Sequence, residues 1–451
     1  MSSRNCLDSI SSFRRGRMIL TLGVIASMLM LTNTGEADQK ESIKLVASDG
    51  SYADYFGSSV AISGDYAIVG APNDDVLFSN TGSAYIFERV DGVWTQKAKL
   101  IAPDRAPNDV FGTAVSISGD YAIVGAPLDD HTGSNYGSAY IYQRVGGNWG
   151  ESPVAKLVAL NRNEENEIIS DGGPNDYFGN SVAISGDYAI VGAPNHDHET
   201  MGADSGAAYI FQRVGENWNL VTRLLAPYDL GSAGDLFGLS VAITGDNAIV
   251  GAPRFDFEDV ADRGAVYVFN RSEEGWNNIA GYLLNTGGTA GEEFGGSVAI
   301  DGSFGLAGAP KYEADGGLTN AGSARLVEDV WDNGIWATQA QHLLVPSERA
   351  ASDQFGFSVS ISGDQAIVGS LKYSNGTGTV YVFKKSPTED NWPQWKKLIS
   401  SDNTWGFGSA VSVSGQYVIV GAKHSEAAYI YDLLSPPSSS VPAVPLLLLE
   451  E

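Results

Sequence analysis

Nineteen residues, DYFGSSVAISGDYAIVGAP at Asp54–Pro72, return at Asp176–Pro194 with one change, Asn180 in place of Ser58. A segment that recurs almost unaltered within one chain meets the same packing problem each time, so the chain is read as a repeat architecture before anything else. Looser copies extend the series to seven, each starting at a Phe-Gly pair: Phe56-Gly57, Phe111-Gly112, Phe178-Gly179, Phe237-Gly238, Phe294-Gly295, Phe355-Gly356 and Phe407-Gly408. Successive starts lie between 52 and 67 residues apart. A period of this size indicates a solenoid or a propeller.

Inside each copy, SSVAIS and YAIVGA are β-rich runs around a short Gly64-Asp65 turn, GSAYIFERV is a third run and TQKAKLIA a fourth. Four antiparallel strands per unit make a propeller blade. The segment SIKLVASD, Ser42 to Asp49, looks like a fourth strand but precedes the first Phe-Gly, while the seventh copy stops after its third strand, AAYIYDLL. The N-terminal strand is therefore expected to complete the last blade, closing the ring and removing two open sheet edges. The expected fold is an all-β, seven-bladed β-propeller of four-stranded antiparallel blades.

The repeated FG…VAISGDYAIVGAP resembles the FG-GAP repeat family, which builds the seven-bladed propeller of integrin α subunits and of many bacterial surface proteins. Gly-Ala-Pro stands intact at Gly70-Ala71-Pro72, Gly125-Ala126-Pro127, Gly192-Ala193-Pro194, Gly251-Ala252-Pro253 and Gly308-Ala309-Pro310. It becomes Gly369-Ser370-Leu371 and Gly421-Ala422-Lys423 in the last two copies. Integrin-like members carry a calcium loop between the first two strands of some blades, but here that connection is only SGDY or a near variant. One carboxylate such as Asp65, Asp120 or Asp187 cannot supply the several oxygens calcium needs, so the family's calcium ligands find no counterpart.

Basic Arg14, Arg15 and Arg17, the apolar run Met18–Leu31, and then Gly35 and Ala37 give residues 1–37 the pattern of a secretory signal peptide cleaved near Ala37. The propeller is expected over 38–434, followed by a Pro/Ser-rich tail at 435–451. The one cysteine, Cys6, falls in the leader, so the mature chain has no disulfide or thiol chemistry. With no transmembrane span in the mature chain, the protein is expected to be secreted or at the cell surface, and a monomer. A formal charge of −27 excludes nucleic acid and anionic lipid as natural partners and favours cations or basic surfaces.

Features present in every copy are scaffold. An acidic residue two positions before the phenylalanine, at Asp54, Asp109, Asp176, Asp235, Glu292 and Asp353, is expected to bond nearby backbone amides, with Trp405 in the seventh place. Trp94, Trp149, Trp218, Trp276, Trp336 and Trp395 are expected to pack at the blade rim. Because strands alternate in direction, the second-to-third and fourth-to-first connections share one face of the ring. That face gathers Asp74, Asp75, Asp129, Asp130, Asp197, Glu199, Asp204, Asp256, Glu258, Asp259 and Asp262, with Glu164, Glu165 and Glu167 nearby. Ca²⁺ or a basic ligand suits such oxygen-rich loops. His196 and His198, beside Asp197, together with His131 in the neighbouring copy, would suit a transition metal.

No catalytic motif stands out. The expected function is non-catalytic recognition or adhesion, with an extracellular protein or glycan bound across the acidic loops. The alternatives are an extracellular polysaccharide hydrolase or lyase and a structural surface or matrix component.

Overall fold

The YAIVGA runs become strands such as Tyr66–Ala71, Tyr121–Ala126 and Tyr188–Ala193, in which every residue after the first is buried. A strand buried on both faces needs partners along both edges and packing layers above and below it. The computed structural model provides both. It describes residues 38–435 apart from 131–132, 163–166, 228–229, 258, 274, 277–280, 285–288, 315, 329–340 and 373–375. The signal peptide expected at 1–37 and nearly all of the tail expected at 435–451 lie outside the described residues.

Blade one pairs Ser59–Ser63, Tyr66–Ala71, Ser83–Val90 and Val93–Leu100 in antiparallel order. The same order recurs in seven sheets. Each blade's first strand touches the first strands of its two neighbours, and the last, Phe407–Ser414, touches Ser59–Ser63, so the ring is closed. Serines on these inner strands stitch the ring together: Ile62 N donates to Ser412 Oγ at 3.2 Å, Ile184 N to Ser116 Oγ at 3.2 Å and Val413 N to Ser360 Oγ at 3.1 Å.

Seven apolar clusters lie between consecutive blades in place of a single core. One joins Ile68, Ile86 and Leu100 of blade one to Phe111, Val115 and Tyr140 of blade two; another joins Ile419 and Ile430 of blade seven to Phe56 and Tyr85 of blade one. Phe56, Phe111, Phe178, Phe237, Phe294, Phe355 and Phe407 are all at most 1% exposed, and each sits in such a layer. The glycine of the Gly-Ala-Pro segment follows from how closely the blades approach. A Cβ on Gly70 would lie 2.0 Å from the carbonyl oxygen of Gly112, which also accepts a hydrogen bond from Ser59 Oγ at 2.8 Å. No side chain fits there.

Ile43–Leu45 pairs antiparallel with Ala427–Asp432, completing blade seven as expected. The two residues ahead of it do something unforeseen: Gln39–Lys40 runs parallel to Gln394–Ile399 and adds a fifth strand to blade six. Gln39 fixes the crossing, donating to Asp432 O at 2.7 Å and accepting from Lys396 Nζ at 2.9 Å. The long connection after Leu160 is likewise no simple loop, since Leu160–Arg162 and Ile168–Ser170 form a separate two-stranded ribbon.

Trp94, Trp149, Trp218 and Trp276 are buried edge-on against Tyr417, Tyr66, Tyr121 and Tyr188 of the preceding blade. Blade six departs from the expectation. There Trp392 takes the inter-blade place, 5.5 Å from the ring of Phe304, while Trp395 lies half-buried beneath the ammonium groups of Lys384 and Lys396. The lengthened connection in that blade sets the earlier tryptophan at the seam. Trp336 lies outside the described residues.

Candidate functional site

The acidic residues ahead of the phenylalanines turn back on their own loops. Carboxylates of Asp54, Asp109, Asp176, Asp235, Glu292 and Asp353 accept the backbone N–H three residues earlier, at 2.5 to 2.8 Å. Burial pushes the Asp109 and Asp235 carboxyls up to about 6 against the pull of these bonds.

Two of the acidic-loop residues are also internal. Asp74 is buried, accepts from Ser83 Oγ at 2.5 Å and Tyr85 OH at 2.8 Å, and pairs with Lys99 at 2.7 Å. Asp129 repeats this with Tyr140 at 2.6 Å and Lys156 at 2.8 Å. His196 stands at the matching position of blade three, bonded through Nδ1 to Asp176 at 2.9 Å and facing Arg223 at 3.4 Å through Nε2. Both ring nitrogens are engaged, so His196 does not form the metal pair with His198, whose Nδ1 lies 3.1 Å from Thr200 Oγ1.

Exposed Asp75, Asp130, Asp197 and Asp256 each accept a backbone N–H within their own loop, from Asn80, Asn135, Asp204 and Asp262 at 2.8 to 3.0 Å. Asp204 also accepts from Asn195 at 2.9 Å, and Asp204, Asp259 and Asp262 hold the left-handed turns. Glu199 is exposed. Among the described residues these carboxylates do not converge as a ligand set. His131, Glu164, Glu165 and Glu258 lie outside the described residues.

The ring breaks its own pattern where blade seven meets blade one. At the junction of blades one and two, carbonyls of the long loop 72–82 receive the incoming turn: Asn108 N donates to Ser79 O, Val110 N to Asn80 O and Phe111 N to Thr81 O, at 2.9 to 3.1 Å. Blade seven has only Lys423–Glu426 between its second and third strands. Glu426 sits where earlier blades have Gly82, Gly137 or Gly206, and its one carboxylate takes all three donors, Ala53 N at 3.0 Å, Tyr55 N at 3.1 Å and Phe56 N at 2.8 Å.

The missing loop leaves a cavity of about 480 Å³, lined by Tyr52, Ala53, Tyr55, Trp405, His424 and Glu426. A second, of about 100 Å³, shares Trp405 and His424 with it and adds Leu371, Gly376, Gly406 and Lys423. Trp405 stands where the other blades carry the loop-fixing acid, and it is 64% exposed. Its backbone is pinned by a bridge to Thr377 and by Ser425 Oγ, which donates to its carbonyl at 3.1 Å. One part of the indole rests on Gly376, where a Cβ would lie 2.5 Å from the ring. Tyr52 is 93% exposed, and Tyr55 meets the His424 ring edge-on at 5.8 Å. Burial, and then Lys423, hold the His424 imidazole below its usual range, which favours the neutral ring.

Of these residues the sequence reading singled out Trp405 alone. Tyr52, His424 and Glu426 were missed, although the shortness of the last loop was a readable signal.

No curated protein matches the chain in sequence. A solved structure of a mitotic checkpoint complex contains a chain that aligns over 94% of this one and 98% of its own length, at 10% identity and a TM-score of 0.49, a distance at which function does not transfer. The FG-GAP repeat model matches residues 40–87, 94–142, 163–211, 218–269 and 336–383, each match starting near a fourth strand and running through the next blade's first three. It leaves 384–434, which hold Trp405, His424 and Glu426, unmatched. These matches span more than half of the chain, which belongs to the FG-GAP repeat family.

Proposed function

We propose that this propeller is an exported, non-catalytic recognition module that binds a neutral saccharide in the pocket beside Trp405. The observation that carries the reading is an indole left exposed and held in place where the repeat was shortened. Flat aromatic faces bind the apolar face of a sugar ring, and their rigidity lowers the ordering cost. The cavity is of small-ligand size. A charge of −27 disfavours an acidic polymer. Equivalent connections in other blades carry the acidic loops, so a longer glycan leaving the pocket would pass over them.

A binding role fits the lining better than hydrolysis does. Glycoside hydrolysis takes two carboxyl groups flanking the bond. The pocket's one carboxylate, Glu426, has both oxygens engaged by backbone amides. Screening the propeller against a panel of neutral glycans, followed by calorimetry, tests the proposal. Trp405→Ala should weaken binding by at least 30-fold, in line with loss of a central aromatic anchor, and cost about 0.5 kcal/mol or less of stability. Glycan binding that survives in Trp405→Ala, or turnover of the bound glycan, would overturn it.

A further inference from the structure

Where the outer strands of blades five and six meet, three ligand-type side chains converge. Glu328 follows the third strand of blade five, Ser323–Val327, and His342 lies in its fourth, Gln341–Leu344. Asp390 comes from the connection between Thr379–Lys384 and Gln394–Ile399 of blade six. One ligand atom of each falls within 4.8 Å of the others. His342 Nε2 is 3.5 Å from Glu328 Oε1 and 3.8 Å from Asp390 Oδ1. That nitrogen is buried and has no hydrogen-bond partner among the described residues.

Blade packing does not demand these residues. His342 lies opposite Leu326, in the place that Ala98 holds opposite Ile86, Ala155 opposite Ile141 and Gly281 opposite Val268. Small side chains thus suffice in blades one, two and four, and Thr222, Lys396 and Ile43 hold the place in blades three, six and seven, so no one side chain is required there. Blade one turns between its third and fourth strands through Asp91 and Gly92 alone, whereas blade six spends residues 385–393 on the same turn and so brings Asp390 back over blade five.

We propose that Glu328, His342 and Asp390 form a binding site for a divalent transition metal of the zinc class, which tethers blade five to blade six. An imidazole with two carboxylates suits Zn²⁺ or Co²⁺ and is too poor in oxygen for calcium. Bonds of about 2.0–2.2 Å around a tetrahedral ion set ligand atoms roughly 3.3 Å apart, so the two separations from His342 need to shrink by only a few tenths of an ångström, and the Glu328–Asp390 pair, within 4.8 Å, by at most about 1.5 Å. Asp390 is 78% exposed and free to supply that movement. Glu328 remains held from behind, with Lys385 on Oε2 and the Trp392 indole N–H on Oε1 at 2.5 Å, which orients the carboxylate as outer partners do in metal sites. Water completes the fourth position. This site is independent of the saccharide reading.

The test uses untagged protein stripped with chelator, titrated with Zn²⁺ by calorimetry and with Co²⁺ by visible absorption. One equivalent should bind with micromolar affinity, Co²⁺ should show the intense bands of a tetrahedral site, and the thermal midpoint should rise with metal concentration. His342→Ala and Asp390→Ala should each weaken binding at least tenfold, while His198→Ala leaves it unchanged. Alanine already occupies the place of His342 in blades one and two, so this variant is expected to fold, and an unchanged midpoint without metal verifies it. Absence of binding, or affinity retained in His342→Ala, overturns the site and leaves Lys385 as the resident cation of an ion-pair cluster.

Discussion

The junction of blades one and two and the junction of blades seven and one perform the same task with different parts. In the first, a long loop offers three carbonyls to the incoming Phe-Gly turn; in the second, a short loop offers one carboxylate. The ring tolerates the exchange because what must be preserved is the set of satisfied N–H groups, and an unpaired buried amide costs as much whichever acceptor is removed. Substitution also changes the surface. Where the loop is present the seam is covered, and where it is cut away an indole and a tyrosine face solvent.

The largest effect should come from tightness at the seams. Gly112 has φ +99 and a Cβ there would lie 2.3 Å from Ser83 O, whereas at Gly408, φ +83, the nearest atom is 3.3 Å away. Gly112→Ala is expected to cost about 4 kcal/mol and Gly408→Ala about 1–2 kcal/mol, measured by chemical denaturation. Equal costs would show that the wider gap at the seam of blades six and seven does not relax the packing found at the seam of blades one and two. Next comes Glu426→Ala, which strands the part-buried N–H groups of Tyr55 and Phe56, leaves that of Ala53 to water, and should cost about 2–3 kcal/mol, with Glu426→Gln recovering part of it. Were Glu426→Ala neutral, the carboxylate would not be replacing the lost loop.

Lys99→Met tests a buried ion pair on the side of blade one that faces blade seven. It leaves Asp74 buried beside Tyr85 without its cation and should cost about 2 kcal/mol, whereas Lys44→Met, whose partner Asp402 is well exposed, should cost about 0.5 kcal/mol or less. The smallest effect is a pH dependence. The Asp109 carboxyl is raised from 3.8 to about 6, mainly by burial, so the stability it contributes is full below about pH 4 and lost as pH rises through 6. Asp109→Asn keeps an acceptor for Ala106 N and should gain about 1 kcal/mol above pH 6 and nothing at pH 4. A variant equally stabilised at both pH values would remove burial of the charge as the cause.

The fold was legible because a repeat reports its own constraints. Seven Phe-Gly pairs gave the blade count, and the order of the terminal strands foretold closure through Ile43–Leu45. The loop-fixing role of Asp54 and its counterparts was legible for the same reason, since recurrence in six blades pointed to a structural bond. Site chemistry was less legible. Asp74 and Asp75 are neighbours in an acidic run, yet one is buried against Tyr85 and Lys99 and the other caps an exposed turn. Partners that distinguish them, twenty-five residues along the chain at Lys99 or five at Asn80, leave no mark in local composition.

The sequence by itself determined the blade, its sevenfold repetition and the closing strand, because these rest on strand periodicity and on short-range turn chemistry that every copy shares. Only the tertiary structure decided which acids are interior, that Gln39–Lys40 crosses to blade six, and that Tyr52 borders one cavity with Trp405 and Glu426, more than three hundred residues further along the chain. Ring closure is the physical reason. It brings the two ends of the chain to a single seam, where residues that no local pattern connects become neighbours.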